Sequence, residues 1–163
     1  MSSDFNKDVL LRSAKRINVS YFKEQQEDAI NAIWQWWQSQ SISFTLSGYA
    51  GTGKTFIMRH LVRYLIVEKV CVTSPTHKAL RVLENSSGKK GMTIQSLCGL
   101  RPDVDIEDYN IENPSFKIIG EQKMRDYRLV IIDECSMINP GLFNLLIKTA
   151  IQYRCKLLFL GEM

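Results

Sequence analysis

The 163-residue chain has no apolar run approaching the roughly 18 residues that span a bilayer, which excludes an ordinary transmembrane helix. Its opening, Met1 to Lys7, is polar and leads into no signal-type apolar stretch, so neither export nor a membrane partner is expected. Cysteine is sparse and dispersed: Cys71, Cys98, Cys135 and Cys155 form no C-x-x-C pair. That spacing suits reduced, mostly buried thiols in an intracellular protein better than a zinc site or a disulfide frame. Internal repeats and Pro/Gly/Ser-rich linkers are absent too, and the length matches about one domain.

What is present is ordinary for a globular protein, with 45% apolar and 23% charged residues, enough for a sizeable core. The net charge of +4 is too small to identify a partner, but its distribution is uneven. Lys78, Arg81, Lys89, Lys90 and Arg101 face one acid, Glu84, over one stretch, whereas Asp103 to Glu112 holds five acids and no base. A phosphate backbone would favour the first stretch and be repelled by the second, although two solvated loops would look the same.

Periodicity places a polar lead-in over the first twenty residues, with a short helix around Asp8 to Lys15. A helix over Lys23 to Gln38 presents Ala29, Ile30, Ile33 and Trp37 on one face. Strands follow at Ser43–Ser47, Lys69–Thr73, Leu129–Ile132 and Lys156–Leu160. Helices are expected over Thr55–Val67, with Phe56, Ile57, Leu61, Tyr64 and Leu65 inward, and over Thr76–Leu83 and Pro140–Ile151. Pro75 is read at an early position of the second of these. Strands alternating with helices predict an α/β fold, a parallel sheet covered on both faces.

The strongest signal is Gly48-Tyr49-Ala50-Gly51-Thr52-Gly53-Lys54-Thr55, a complete G-x-x-x-x-G-K-[ST] phosphate loop between an expected strand and an expected helix. Glycines at those positions let successive N–H groups curl around a phosphate, and the helix start adds partial positive charge there. Gly48, Ala50, Gly51, Thr52 and Gly53 would line the phosphates, Lys54 would reach the β and γ groups, and Thr55 would hold Mg²⁺. The second half is Leu129-Val130-Ile131-Ile132-Asp133-Glu134, an apolar strand ending in two carboxylates. Asp133 would hold Mg²⁺ through its waters, and Glu134 would deprotonate the attacking water. Together they predict nucleoside-triphosphate hydrolysis with Mg²⁺, with Lys54, Asp133 and Glu134 catalytic.

Asp133-Glu134-Cys135-Ser136-Met137 resembles the D-E-x-S-M form of helicase motif II found in superfamily 1 enzymes of the RecD, Pif and phage Dda type. Phe22 to Ala29 is similar to the Q motif of these enzymes. It makes Gln26 the adenine-reading residue, with Gln25 as the fallback. Ser74-Pro75-Thr76-His77-Lys78-Ala79 resembles motif Ia, and Thr93-Ile94-Gln95-Ser96-Leu97 resembles the T-I-H-S segment, with Gln95 in place of histidine. The resemblance spans roughly Phe22 to Glu162. It implies a P-loop NTPase of RecA-like fold, ATP and Mg²⁺ as cofactors, and single-stranded DNA as partner. Pro75, Thr76, His77, Lys78, Thr93 and Gln95 would contact the DNA.

The same resemblance implies an ATP-dependent DNA helicase of 5′-to-3′ polarity, cytoplasmic or nucleoid-associated, working with replication or recombination proteins. Another P-loop ATPase acting on DNA, or a nucleotide-binding module without catalysis, stands as the alternative. Residues 1–163 would form a single N-terminal motor domain with a small insert around 97–121, where Tyr109 and Phe116 are aromatic candidates for splitting a duplex. Leu158 to Met163 resembles the opening of motif III, with Glu162 at the aspartate position. The expectation is therefore a chain truncated inside that motif, without the second motor domain, binding nucleotide with Mg²⁺ but hydrolysing slowly and not unwinding.

Overall fold

Three of the five strands carry apolar residues that alternate between two separate cores, and this alternation organises the molecule. In the computed structural model the described residues are 24–64, 69–100 and 120–162. The strands are β1 (Ser43–Ser47), β2 (Val70–Ser74), β3 (Gly91–Thr93), β4 (Leu129–Ile132) and β5 (Lys156–Gly161). The helices are α1 (Glu24–Gln38), α2 (Lys54–Tyr64), α3 (His77–Ser87), α4 (Ile94–Cys98) and α5 (Pro140–Tyr153). The expected helix around Asp8 to Lys15, the inward Tyr64 and Leu65, and Tyr109 and Phe116 lie outside the described side chains.

The strands form one sheet in the order β1-β5-β4-β2-β3, every neighbouring pair parallel. Side chains on a strand point alternately to opposite faces. Val70, Val72, Leu129, Ile131, Leu158 and Leu160 therefore enter one core with α1 and α2. Their neighbours Cys71, Val130, Ile132, Leu157 and Phe159 enter the other, with α4 and α5. A strand buried on both faces must read as a continuous apolar run, which is why β4 and β5 stood out in the sequence.

Ile30, Ile33 and Trp36 are the buried face of α1. The expected Trp37 is only half-buried, so the stripe turns one residue earlier than periodicity proposed. Lys156 locks the end of this helix to the sheet, its ammonium donating to the carbonyls of Trp36, Ser39 and Ser41 at 3.1, 2.9 and 2.7 Å. The same ammonium lies 5.0 Å from the Trp36 ring centroid. Burial pushes the Lys156 pKa down.

Capping sets two boundaries. Thr76 is the N-cap of α3, its Oγ1 accepting from the Ala79 amide at 3.2 Å. Pro75 thus precedes the helix and does not occupy its first turn, a correction to the sequence reading. Asn139 caps α5 by accepting from the Leu142 amide at 2.8 Å, with Pro140 next, where its missing N–H costs nothing. The short elements β3 and α4 were not expected. Of the segment 97–121, Leu97 to Leu100 are buried in the second core, and residues 101–119 lie outside the described structure.

The basic stretch is divided by this topology. Because β2 and β3 are parallel, α3 must return from the C-terminal end of one to the N-terminal end of the other. His77 and Lys78 therefore sit at the opposite end of α3 from Lys89 and Lys90. These residues do not form one patch.

Candidate functional site

Parallel α/β sheets bind ligands beyond the C-terminal ends of their strands, where connections diverge to either side of a switch point. Here β1 leads into the glycine-rich loop, β4 ends at Asp133, and β5 lies between them and ends at Gly161. The three ends enclose a cleft of about 520 Å³, whose wall includes Ala50, Gly51, Gly53, Lys54, Thr55, Asp133 and Glu134. Phosphate-loop residues and the two acids, some eighty positions apart in sequence, therefore share one cleft. Gly48 and Thr52 belong to the loop without lining the cleft.

The loop has the conformation that its glycines predict. Gly51 and Gly53 have φ of +78° and +93°, a region that side-chain-bearing residues rarely enter. The Gly48 amide donates to the Gly161 carbonyl at 3.3 Å, closing the loop base onto β5. Thr52 closes a tight turn, its hydroxyl donating to the Tyr49 carbonyl at 2.8 Å. The Lys54 ammonium donates to the carbonyls of Gly48 and Tyr49, the latter at 2.9 Å. Thr55 is exposed at the start of α2.

Gln26 reaches this loop from the first turn of α1, its amide donating to the Thr52 carbonyl at 3.0 Å. A Cβ built on Gly53 would stand 2.0 Å from Gln26 Nε2, so any side chain there would displace the Gln26 amide, besides being strained by φ. Gln25 is exposed.

Asp133 continues the β4 ladder for one residue, its amide donating to the Thr73 carbonyl at 3.0 Å, while its Oδ1 accepts from the Glu134 amide at 2.9 Å. Burial raises the Asp133 pKa above the ordinary carboxylate value, opposed by that amide and by the nearby Lys54 ammonium. Glu134 turns sharply, with φ 53° and ψ 42°. A non-glycine residue there costs of order 1–3 kcal/mol. The turn ends the strand and starts a 3-10 turn over Cys135–Met137, closed by the Met137 amide donating to the Glu134 carbonyl at 3.1 Å. Glu134 is thereby left exposed on the cleft wall.

A second depression, of about 300 Å³, gathers His77, Thr93 and Gln95 with Ser96 and Lys123. Two sequence-separated candidate segments meet in it. Of the remaining DNA candidates, Lys78 is exposed outside this wall, Pro75 is buried, and Thr76 is occupied as the α3 cap. Sequence reasoning did not select Lys123, nor Gly161 and Glu162 as cleft residues. The latter pair was legible as the end of an apolar strand, whereas Lys123 carried no signal.

No group of three or more His, Cys, Asp or Glu residues arranged to hold a metal occurs among the described residues. The oxygen donors of Thr55 and Asp133 in one cleft instead suit a hard cation that keeps waters and shares a phosphate ligand. Also among the described residues, no helix is long and apolar enough to cross a membrane.

Comparison with known proteins agrees with this geometry. Residues 26–163 match the family described as AAA domain. The chain is 30% identical over 142 residues to the ATP-dependent DNA helicase dda of Enterobacteria phage T4, covering 85% of this chain and 31% of the relative. It is 34% identical over 136 residues to the uncharacterized protein R530 of Acanthamoeba polyphaga mimivirus, covering 73% of this chain and 28% of that protein. A crystal structure of Bacteroides sp Pif1 in complex with ADP-AlF4 superposes with a TM-score of 0.59 at 21% identity, covering 88% of this chain and 33% of that one. The fold is therefore the RecA-like P-loop α/β fold, and the chain spans about a third or less of the length of these proteins.

Proposed function

This chain belongs to the AAA-domain family, in its Pif1- and Dda-like group of motor domains, and we propose that it is the ATP-hydrolysing half of a DNA helicase. The observation that carries this reading is the single cleft lined by both the phosphate loop and the Asp133–Glu134 pair. Backbone amides from Gly48 to Thr55, including those of Ala50, Gly51, Thr52 and Gly53, bind the triphosphate together with Lys54. Thr55 and Asp133 would hold Mg²⁺, which when bound neutralises phosphate charge. Glu134 accepts a proton from the water that attacks the terminal phosphorus, and the bond to the leaving phosphate breaks to give ADP and phosphate. Gln26 acts on the nucleotide side through its hold on the loop.

Single-stranded DNA lies along the end of the sheet beside β2 and β3. His77, Thr93 and Gln95 contact it in the shared groove, and Lys78 adds charge at the rim. Pro75 and Thr76 shape the turn that presents His77. Translocation and unwinding need a cleft that opens and closes between two domains, and thus parts beyond this segment.

Titration of a fluorescent ATP analogue into the 163-residue chain, with and without Mg²⁺, tests the reading. Lys54→Ala is expected to weaken binding about 10- to 100-fold, the effect of losing a charge-assisted bond of roughly 1.5–3 kcal/mol. Glu134→Gln is expected to keep binding and, in a protein carrying both motor halves, to lower DNA-stimulated hydrolysis by about 10²- to 10⁴-fold. Nucleotide affinity indifferent to Lys54→Ala would overturn the assignment.

A further inference from the structure

We infer that Lys123 is a phosphate-contacting residue for single-stranded DNA, completing the groove made by His77, Thr93 and Gln95; the inference rests on the DNA-motor reading above. Lys123 opens the 3-10 turn Lys123–Asp126, twenty-seven residues after Ser96. Its ammonium nevertheless donates to Ser96 Oγ at 3.3 Å. This bond holds the cation in the groove, where it shares a wall with His77, Thr93 and Gln95. An ammonium has three donors, and among the described residues the bond to Ser96 uses one of them.

The electrostatic setting favours an anion. Lys123 is the full cation of this wall, and the neighbouring hydroxyl and amide groups of Thr93, Ser96 and Gln95 are the neutral types that position phosphates. The wall holds one carboxylate, Glu121, and that group is ion-paired with Arg125. Other lysines are less well placed. Lys78 lies outside the wall, and Lys89 and Lys90 follow the far end of α3. His77 and Thr93 follow or end parallel strands at their C-terminal ends, the same end of the sheet at which the nucleotide cleft lies.

A salt-dependence measurement on the 163-residue chain decides the matter. Anisotropy of a short fluorescein-labelled oligothymidylate is followed across a NaCl series for the wild type, Lys123→Gln, Lys123→Met, Lys123→Arg and Lys89→Gln. Each phosphate neutralised on a single strand contributes about 0.7 to the slope of log affinity against log salt. Lys123→Gln is expected to lose roughly 0.7 of slope and to bind several-fold more weakly at low salt. Lys123→Met, which keeps the aliphatic stem, is expected to do the same, and Lys123→Arg and Lys89→Gln to retain the wild-type slope. A wild-type slope in either charge-removing variant, with wild-type binding intact, overturns this inference alone. Absence of salt-dependent binding in the wild type removes the DNA reading and the inference with it.

Discussion

The Gln26 side-chain amide and the Thr52 carbonyl, 3.0 Å apart, tie the first turn of α1 to the phosphate loop. A neutral side-chain bond of this kind contributes about 1 kcal/mol, so Gln26→Ala is expected to weaken nucleotide binding roughly fivefold. Gln25→Ala, at an exposed position, is expected to leave it unchanged. Comparing ATP with GTP separates two roles for Gln26. An equal loss for both nucleotides marks support of the loop, and a loss confined to ATP marks adenine reading.

Asp133 offers a test in pH. Its folded-state pKa is raised, chiefly by burial, so the folded chain holds this proton more tightly than the unfolded chain. The resulting stability is fully present below the ordinary carboxylate value of 3.8 and is lost as pH rises through the folded value. At neutral pH the ionised group is thus a burden on the fold. Asp133→Asn, whose carbonyl can still accept from the Glu134 amide, is expected to melt at a higher temperature than wild type at pH 7. The difference should close on acidification, and a gap that is constant with pH would exclude the burial argument. Hydrolysis is expected to fall in the same variant, the usual conflict between a site and its stability.

Gly161 of β5 lies against Cys135 in the turn after β4. A Cβ at position 161 would stand 2.6 Å from Cys135 Sγ, but the next nearest atoms, the amide nitrogens of Cys135 and Ser136, are 3.7 Å away. Gly161→Ala is therefore expected to cost about 1–3 kcal/mol by overpacking. Cys135→Ala removes the single clashing atom, and the double variant should regain most of the loss. Additive losses in a urea-unfolding double-mutant cycle would show that the strain lies elsewhere.

The four cysteines should react unequally. Burial pushes Cys71, Cys98 and Cys155 up to about 12, leaving roughly one thiolate in ten thousand at pH 8. Cys135 is raised too, by burial first, but its side chain is only partly covered. Brief alkylation of the native chain is expected to label Cys135 alone, and alkylation in urea to label all four. Mass spectrometry after proteolysis reads the pattern directly, and early labelling of Cys98 would contradict the closed second core.

The sequence reading was most accurate where one local rule dominates. Ser43–Ser47 and Leu129–Ile132 match β1 and β4 residue for residue, β4 because a doubly covered strand needs an unbroken apolar run, and β1 because its alternating Phe44 and Leu46 end at the glycine-rich turn. It missed Gly91–Thr93 and Ile94–Cys98, which are too short to show a period. It began this helix at Thr76 and gave Pro75 an early helical position because Pro at a helix start is common, and did not anticipate that Thr76 supplies the cap. It chose Trp37 over Trp36 because one residue along a helix turns the side chain by only about 100°, within the width of an apolar stripe.

By itself, then, the amino-acid order determined the alternating α/β pattern, the curled loop from Gly48 to Thr55, and the acidic pair closing an apolar strand. Each depends on neighbours a few positions away: glycine φ freedom, side-chain period, a proline or a hydroxyl at a turn. Tertiary structure alone decided that Gln26 rests on Gly53, that Glu134 is held left-handed on the cleft wall, and that Lys123 joins His77, Thr93 and Gln95. Those relationships depend on strand order and on contacts between residues distant in sequence, whose geometry no local rule contains.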